Sequence, residues 1–204
     1  MSRSHPLLAL IYDPIMWMAE RRAFGRFRGE LLSELHGDVL EIGAGTGRNF
    51  GYYPRDANVF ALEPDPAMYA RAQKRIPPGK PAVLLELAGD ERMRSLPAQS
   101  FDAIVFALVL CSIDEPDKTL DEARRLLRPG GKLVLFEHVR SHGALGVWQD
   151  RLQPMWGRIS GGCRLNRETR AMVENAGFNA FALHNEKIAG GIVRDVLVGF
   201  AEPT

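Results

Sequence analysis

The sequence predicts an α/β protein built on one mainly parallel sheet with helices on both faces. Three observations carry that reading. Short apolar strands alternate with amphipathic helical segments along most of the chain. The inner strands read as near-continuous apolar runs, as strands buried on both faces do. A glycine cluster closes the first strand, where a doubly wound sheet opens its crevice. The length of 204 residues suits a single domain, 1–204. Apolar residues at 46% and charged residues at 25% exclude a disordered or fibrous chain.

Residues 1–36 read as an amphipathic N-terminal lid, helical from Ile15 to Leu35. Trp17, Phe24, Phe27, Leu31 and Leu35 recur at helical spacing and mark one apolar face. Arg21, Arg22, Arg26 and Arg28 lie mostly off that face, and Gly25 and Gly29 weaken the helix or break it in two. Strands follow at 38–42 and 58–62. Asp65 can cap a helix that runs to about Arg75, with Pro66 in its first turn. Pro77, Pro78 and Gly79 stop it. Residues 82–87 and 101–108 are the third and fourth strands. A helix over 116–127 places Leu120, Ala123, Leu126 and Leu127 on one face. Arg128-Pro129-Gly130-Gly131 ends it, and 132–136 is the fifth strand. Residues 139–167 lapse into Trp, Gly, Pro and Arg. This irregular segment is either functional or partly helical in its own right. A helix near 168–175 stops at Gly177. Strands near 179–183 and 192–200 close the chain, and their hairpin-like pairing predicts one antiparallel strand at or near the sheet edge.

Lys plus Arg number 26 against 25 Asp plus Glu, a net charge of +1. That balance argues against a nucleic-acid partner, which usually selects a basic excess. The two cysteines, Cys111 and Cys163, make neither a disulfide framework nor a CxxC pair, so no metal is expected and a reducing cytoplasm is the default location. The longest apolar run, 103–110, falls far short of the ~20 residues of a membrane span. The apolar stretch 7–12 lacks the length and cleavage site of a secretory signal. The chain reads as soluble, or at most peripheral on the inner face of a membrane.

Glu41-Ile42-Gly43-Ala44-Gly45-Thr46-Gly47 follows the first strand. Its glycines let the backbone turn sharply and let a ligand lie against the main chain. Glu63 closes the second strand, placed to accept hydrogen bonds from both ribose hydroxyls of an adenosine. The spacing is GxGxG, not the GxGxxG of a dinucleotide site, and no Gly-Lys-Ser/Thr marks a triphosphate site. A methionine-bearing nucleoside needs no diphosphate cradle.

With these motifs the chain resembles class I S-adenosylmethionine-dependent methyltransferases of the type 11, quinone-biosynthesis kind, over about 39–177. VLEIGAGTG, LEPD, the Gly89-Asp90-Glu91 loop, LPAQSFDAIVFALVL and LLRPGGKLVLFEH carry the resemblance. It implies a Rossmann-like sheet of seven strands with one antiparallel strand, and S-adenosyl-L-methionine as cofactor. It places Glu41, Gly43, Ala44, Gly45, Gly47 and Asn49 around the methionine end. Glu63 would hold the ribose, with Pro64 and Asp65 bordering it. Gly89, Asp90 and Glu91 would flank the adenine, and Leu108 would close the site beside the sulfonium.

Methyl transfer is an in-line displacement from an activated sulfonium, so the protein mainly supplies alignment. His138, at a strand end, is the acid/base candidate, with a loop hydrogen bond as its alternative role. Tyr12 shapes the sulfonium cage or packs. Cys111 reads as a buried small residue. Arginines and tryptophans gather in the lid and in 139–170, which suits a basic, aromatic surface on an anionic membrane. Within the family the chain resembles bacterial phospholipid N-methyltransferases and small alkyl-thiol methyltransferases. The preferred expectation is N-methylation of a phosphatidylethanolamine-type lipid at the membrane surface. The alternatives are S-methylation of small hydrophobic thiols, which ALVLCS and GGCRLNRET resemble, and a non-catalytic cofactor-binding protein. The chain departs from the thiol group in showing no N-terminal membrane-spanning anchor. No Asn/Asp-Pro-Pro-Tyr/Phe motif follows the fourth strand, which argues again against nucleic-acid methylation. Oligomeric state is left open.

Overall fold

The computed structural model describes residues 6–79, 81–188 and 191–204. The strands are β1 Gly37–Ile42, β2 Ala57–Leu62, β3 Ala82–Glu86, β4 Phe101–Ala107, β5 Leu127–His138, β6 Phe178–Asn179, β7 Leu183–Lys187 and β8 Asp195–Pro203. The helices are α1 Pro6–Ala19, α2 Gly25–Leu32, α3 Pro66–Gln73, α4 Pro116–Leu126, α5 Gly143–Ile159 and α6 Thr169–Asn175. The sheet order is β3-β2-β1-β4-β5-β8-β6, with β7 also paired to β8. β1 to β5 are parallel to their neighbours among themselves. β8 is antiparallel to β5, β6 and β7. The chain order reverses beside β1, so the crevice opens at the carboxyl ends of β1 and β4.

Side chains on the central strands alternate between two cores. Leu40, Ile42, Ile104, Phe106, Leu133 and Leu135 pack on one face with α4 and α6. Val39, Ala103, Val105, Val134 and Phe136 pack on the other with α2. The period of two is why these strands read as unbroken apolar runs.

Four differences from the expected elements have physical causes. First, the last strand pair becomes three strands, eight in all. The Asn179 carboxamide accepts a bond from the Phe181 N–H at 3.0 Å, a turn that splits β6 from β7. β8 therefore lies inside the sheet. Second, β5 begins at Leu127, paired with Phe101 ahead of a register shift, so Arg128 to Gly131 belong to a bulged strand rather than a stop. Third, helix begins at Pro6, and a π-helical turn, Glu20–Phe24, separates α1 from α2. Such a turn holds an extra residue and rotates what precedes it by roughly 100°. Phe24, Phe27, Leu31 and Leu35 are buried as expected, but Trp17 is turned out, 53% exposed. Fourth, residues 143–159 form a helix, so most of the segment expected to be irregular takes its helical alternative. Its buried residues are Gly146 and Gln149, not an apolar stripe. Gln149 accepts from Ser141 N–H and donates to the Ile192 carbonyl, each at 2.7 Å. Among the described residues no helix is long and apolar enough to cross a membrane.

Candidate active site

A cleft of about 780 Å³ opens at the carboxyl ends of β1 to β4. The sheet order lays out its lining. Gly89, Asp90 and Glu91 follow β3, Glu63 and Pro64 follow β2, Gly43, Ala44, Gly45 and Asn49 follow β1, and Leu108 follows β4; all line the cleft. Tyr12 lines it from α1. Gly47, expected at the methionine end, does not line the cleft; it turns the loop with φ +77° against α3, where a Cβ would meet the Ala72 backbone and the Phe50 ring at 2.9 Å.

Each turn of the loop has a cause. Gly43 has φ +66°, and a Cβ there would lie 2.2 Å from a Val109 methyl. Gly43→Ala is expected to cost about 1–3 kcal/mol from left-handed backbone alone, and to push Val109 into the cleft. Thermal unfolding and calorimetric titration with S-adenosylhomocysteine should both register it; unchanged values would remove the constraint. Ala44 N–H donates to the Leu62 carbonyl at 2.9 Å. Leu108 has φ +58°, uncommon for a side chain of its size, and turns the chain out of β4 into the cleft wall.

Glu63 is 6% exposed. Its Oε2 accepts from Gly45 N–H at 2.7 Å and its Oε1 from Asp65 N–H at 2.8 Å. Burial raises its pKa to about 7, although those two N–H bonds act against the rise. Each oxygen keeps acceptor capacity for a further donor. Asp65 is the N-cap of α3 and accepts from Ala67 N–H at 2.7 Å.

Glu41, expected as a cofactor contact, does not line the cleft. It is 1% exposed and accepts from Asn49 Nδ2 and the Tyr53 hydroxyl, each at 2.8 Å. Burial raises its pKa to about 7, opposed by these bonds and by the Arg28 charge. Its place is under the loop, holding Asn49. Arg28, one of four arginines expected to lie mostly off the apolar face, is 5% exposed. It lines the cleft, donates to Asn49 Oδ1, and stacks over Phe136 at 5.3 Å. A signal was present: Arg28 lies four residues after Phe24 and three before Leu31, within the apolar stripe.

Asp13 also escaped the sequence reading. It fastens α1 to the glycine loop. Thr46 Oγ1 and Arg48 Nε each donate to its Oδ1 at 2.9 Å, and Arg75 pairs with its Oδ2. Burial would raise its pKa, but the bonds from Arg75, Arg48 and Thr46 outweigh this and hold it at about 2.

His138 does not fit the acid/base role expected of it. It is not among the cleft-lining residues and is 5% exposed. Its Nε2 lies 2.9 Å from Cys163 Sγ. A base must come within reach of the proton it takes. The neighbouring Glu137 is buried and accepts from Val109 and Leu110 N–H, each at 2.7 Å, which pins the end of β4 to β5.

The residues present fit S-adenosylmethionine. Glu63 would offer carboxylate acceptors to the ribose, Arg28 sets a buried cation in the cleft wall behind Asn49, and Gly45 leaves open space where a Cβ would stand.

Known proteins agree with that fit. The methyltransferase domain family matches residues 40–135. The human thiol S-methyltransferase TMT1B is 38% identical over 173 residues, covering 82% of this chain and 70% of that protein. The human thiol S-methyltransferase TMT1A is 31% identical over 203 residues, covering 94% and 81%. A phosphatidylethanolamine N-methyltransferase of Cereibacter sphaeroides is 30% identical over 118 residues, covering 57% and 58%. In fold, the chain is similar to the arsenic(III) S-adenosylmethionine methyltransferase of Chlamydomonas reinhardtii, with a TM-score of 0.59 at 18% identity, covering 82% of this chain and 63% of that one. The chain belongs to the S-adenosylmethionine-dependent methyltransferases.

Proposed function

We propose that the chain transfers the methyl group of S-adenosylmethionine to the sulfur of small hydrophobic thiols. The observation that carries this reading is the lining of the acceptor side of the cleft. Tyr12, Leu108, Val109, Ser112, Ile113, Ser160 and Gly161 line the cleft together with the charged Arg94, Asp114 and Glu115, and neither histidine nor lysine is among the described lining residues. The bound cofactor supplies a methyl sulfonium already activated for displacement. Tyr12, Leu108 and Ile113 then have to align the acceptor and exclude water. A thiol suits such a site, because even a small equilibrium fraction of thiolate is intrinsically very nucleophilic toward the activated methyl group and asks for no dedicated base. A phospholipid amine is an ammonium near neutral pH and must lose its proton before it can attack, which asks for a base positioned at the acceptor.

The likeness to two human thiol S-methyltransferases over 82% and 94% of the chain supports the same reading. The likeness to a phospholipid N-methyltransferase covers 57% and supports the lipid reading less. The deciding experiment incubates the enzyme with labelled cofactor and either alkyl and aryl thiols or phosphatidylethanolamine vesicles. Labelled thioether is expected, with kcat/KM rising as the thiol ionises. Labelled lipid without labelled thioether would overturn the proposal.

The same reading extends to where the enzyme works. α1 exposes Leu10, Ile11 and Trp17, and α5 exposes Val147, Trp148, Met155 and Ile159. Both helices adjoin the cleft, through Tyr12 and Ser160. We propose that this apolar rim rests on a membrane surface from which hydrophobic acceptors enter. The arginines contribute less than their number suggests. Arg26 reaches Glu30 and Glu186, Arg140 pairs with Asp150, Arg164 with Asp114, and Arg170 donates to the carbonyls of Ala180 and Leu183. Sedimentation with neutral vesicles is therefore expected to approach that with anionic ones. The double change Trp17→Ser, Trp148→Ser should reduce both. Binding to anionic vesicles alone, lost in salt, would favour an electrostatic surface instead.

A further inference from the structure

Beside the cleft lies a group of side chains that methyl transfer leaves unused. Cys111 stands in the turn after β4, His138 ends β5, and Cys163 follows α5. Their ligand atoms, two sulfurs and a ring nitrogen, lie within 4.8 Å of one another. We propose that Cys111, His138 and Cys163 bind one zinc-class ion, through two thiolates and one imidazole.

The donor set suits that chemistry. Zinc takes thiolate at about 2.3 Å and imidazole at about 2.0 Å in a tetrahedron, which puts neighbouring ligand atoms roughly 3.5–3.8 Å apart. His138 Nε2 and Cys163 Sγ stand 2.9 Å apart and all three ligand atoms within 4.8 Å, so loading would draw His138 and Cys163 apart by roughly half an ångström.

The surroundings point the same way. Among the described residues, Glu137 Oε2, His138 Nδ1, Ser141 Oγ and Arg167 Nε are buried side-chain polar atoms without a hydrogen-bond partner. All four come from the end of β5 and the segment that follows it. Glu137, His138 and Arg167 are 0%, 5% and 7% exposed. Native interiors pair such atoms, and His138 Nδ1 is the free face of the ring that would ligate through Nε2, left for an outer-shell acceptor.

The backbone around the cluster is held independently of any ion. Arg164 N–H donates to the Cys111 carbonyl at 3.0 Å, Gln153 Nε2 to the Cys163 carbonyl at 3.2 Å, and the Arg167 guanidinium to the Ile113 carbonyl. Among the described residues no fourth Cys, His, Asp or Glu joins the group, so one tetrahedral position falls to water or a small ligand. An ion here would tie together the turn after β4, the end of β5 and the loop after α5. Those segments carry Val109, Ser112, Ile113, Ser160 and Gly161, which wall the acceptor side. The ion would brace that wall, and its binding free energy would appear as stability.

The test uses the full chain, stripped of metal and kept reduced with a phosphine, titrated with Zn2+ and with Co2+. One ion per chain is expected, with thiolate-to-cobalt charge-transfer absorption and a higher unfolding temperature on loading. X-ray absorption of the zinc form should show two sulfurs at about 2.3 Å and a nitrogen at about 2.0 Å. Cys163→Ser and His138→Ala should each weaken binding by more than the roughly 100-fold that loss of an outer-shell partner costs. His184→Ala, on an exposed histidine elsewhere, should leave it unchanged. If the variants fail to fold, the wild-type spectra still decide, since the chain has 2 cysteines in all. Coordination by nitrogen and oxygen alone would overturn the proposal. So would ion retention in Cys163→Ser, or a Cys111–Cys163 disulfide that survives the phosphine and blocks loading. No readout needs turnover, so failure of the thiol reading would not be mistaken for failure of the metal site.

Discussion

Glu63→Ala is expected to weaken binding of S-adenosylhomocysteine by at least about 100-fold, since each hydrogen bond to a charged group contributes about 1.5–3 kcal/mol and the ribose offers two. The loss should be larger than loss of ribose contact alone. The carboxylate also joins the glycine loop to the start of α3, through Gly45 and Asp65. Calorimetric titration reads the affinity, and thermal unfolding of the ligand-free variant separates the two contributions. The same residue gives binding a pH dependence of known sign. Its pKa is raised to about 7, and the ribose hydroxyls need the ionised form as acceptor. Affinity should fall as pH drops below about 7, by up to tenfold per unit, and Glu63→Gln should flatten the profile. Stability of the ligand-free protein runs the other way. Glu41 and Glu63 both hold protons more tightly folded than unfolded, from a reference of 4.5 up to about 7. Their contribution is fullest below the unfolded value and is lost as pH rises through about 7. A ligand-free unfolding temperature that climbs over that window would contradict this sign.

Arg28→Met is expected to cost about 3–5 kcal/mol of stability, the usual penalty for removing one side of a buried charge cluster. For a chain of this size that corresponds to a drop in Tm of roughly 6–20 °C. The change leaves Asn49 Oδ1 without its donor and takes the cation from beside Glu41. Because Arg28 also lines the cleft, cofactor affinity should fall with it. The exposed Arg21, which sits over the Trp17 ring at 4.9 Å, serves as the control, and Arg21→Met should change neither. Pairing Arg28→Met with Glu41→Gln should cost less than the sum of the two, since the second change removes the charge the first one stranded. Strict additivity would show that the two charges do not interact.

How much of this was legible depended on what fixes each feature. The glycine loop, Glu63 and the parallel strands are fixed by local demands, a positive φ at Gly43 and a two-residue period in β1, β4 and β5. Such demands are written in adjacent residues. α5 was not legible because Gln149 and Gly146 seat it, and neither contributes to an apolar pattern. Arg28 was hidden by its charge, which reads as solvated although its position lies in the α2 stripe. Glu41 stands beside the glycines in sequence but points under them. The strand alternation that puts it on the face of Val39 decides this, and it was available from the sequence. Asp13 meets partners 33, 35 and 62 residues away, and Cys111, His138 and Cys163 come from three separate segments. Contacts of that span exist only once the sheet is formed.

The Asp13 clip has a consequence for how the two ligands feel each other. One carboxylate holds Thr46 and Arg48 of the glycine loop and Arg75 after α3, and the next residue toward the N-terminus, Tyr12, lines the cleft. Whatever orders the loop orders Tyr12, and whatever seats Tyr12 tightens the loop. Free-energy coupling of this kind is reciprocal. Cofactor and acceptor should therefore bind with synergy, each lowering the other's Kd by the same factor, and Asp13→Asn should bring that factor toward one.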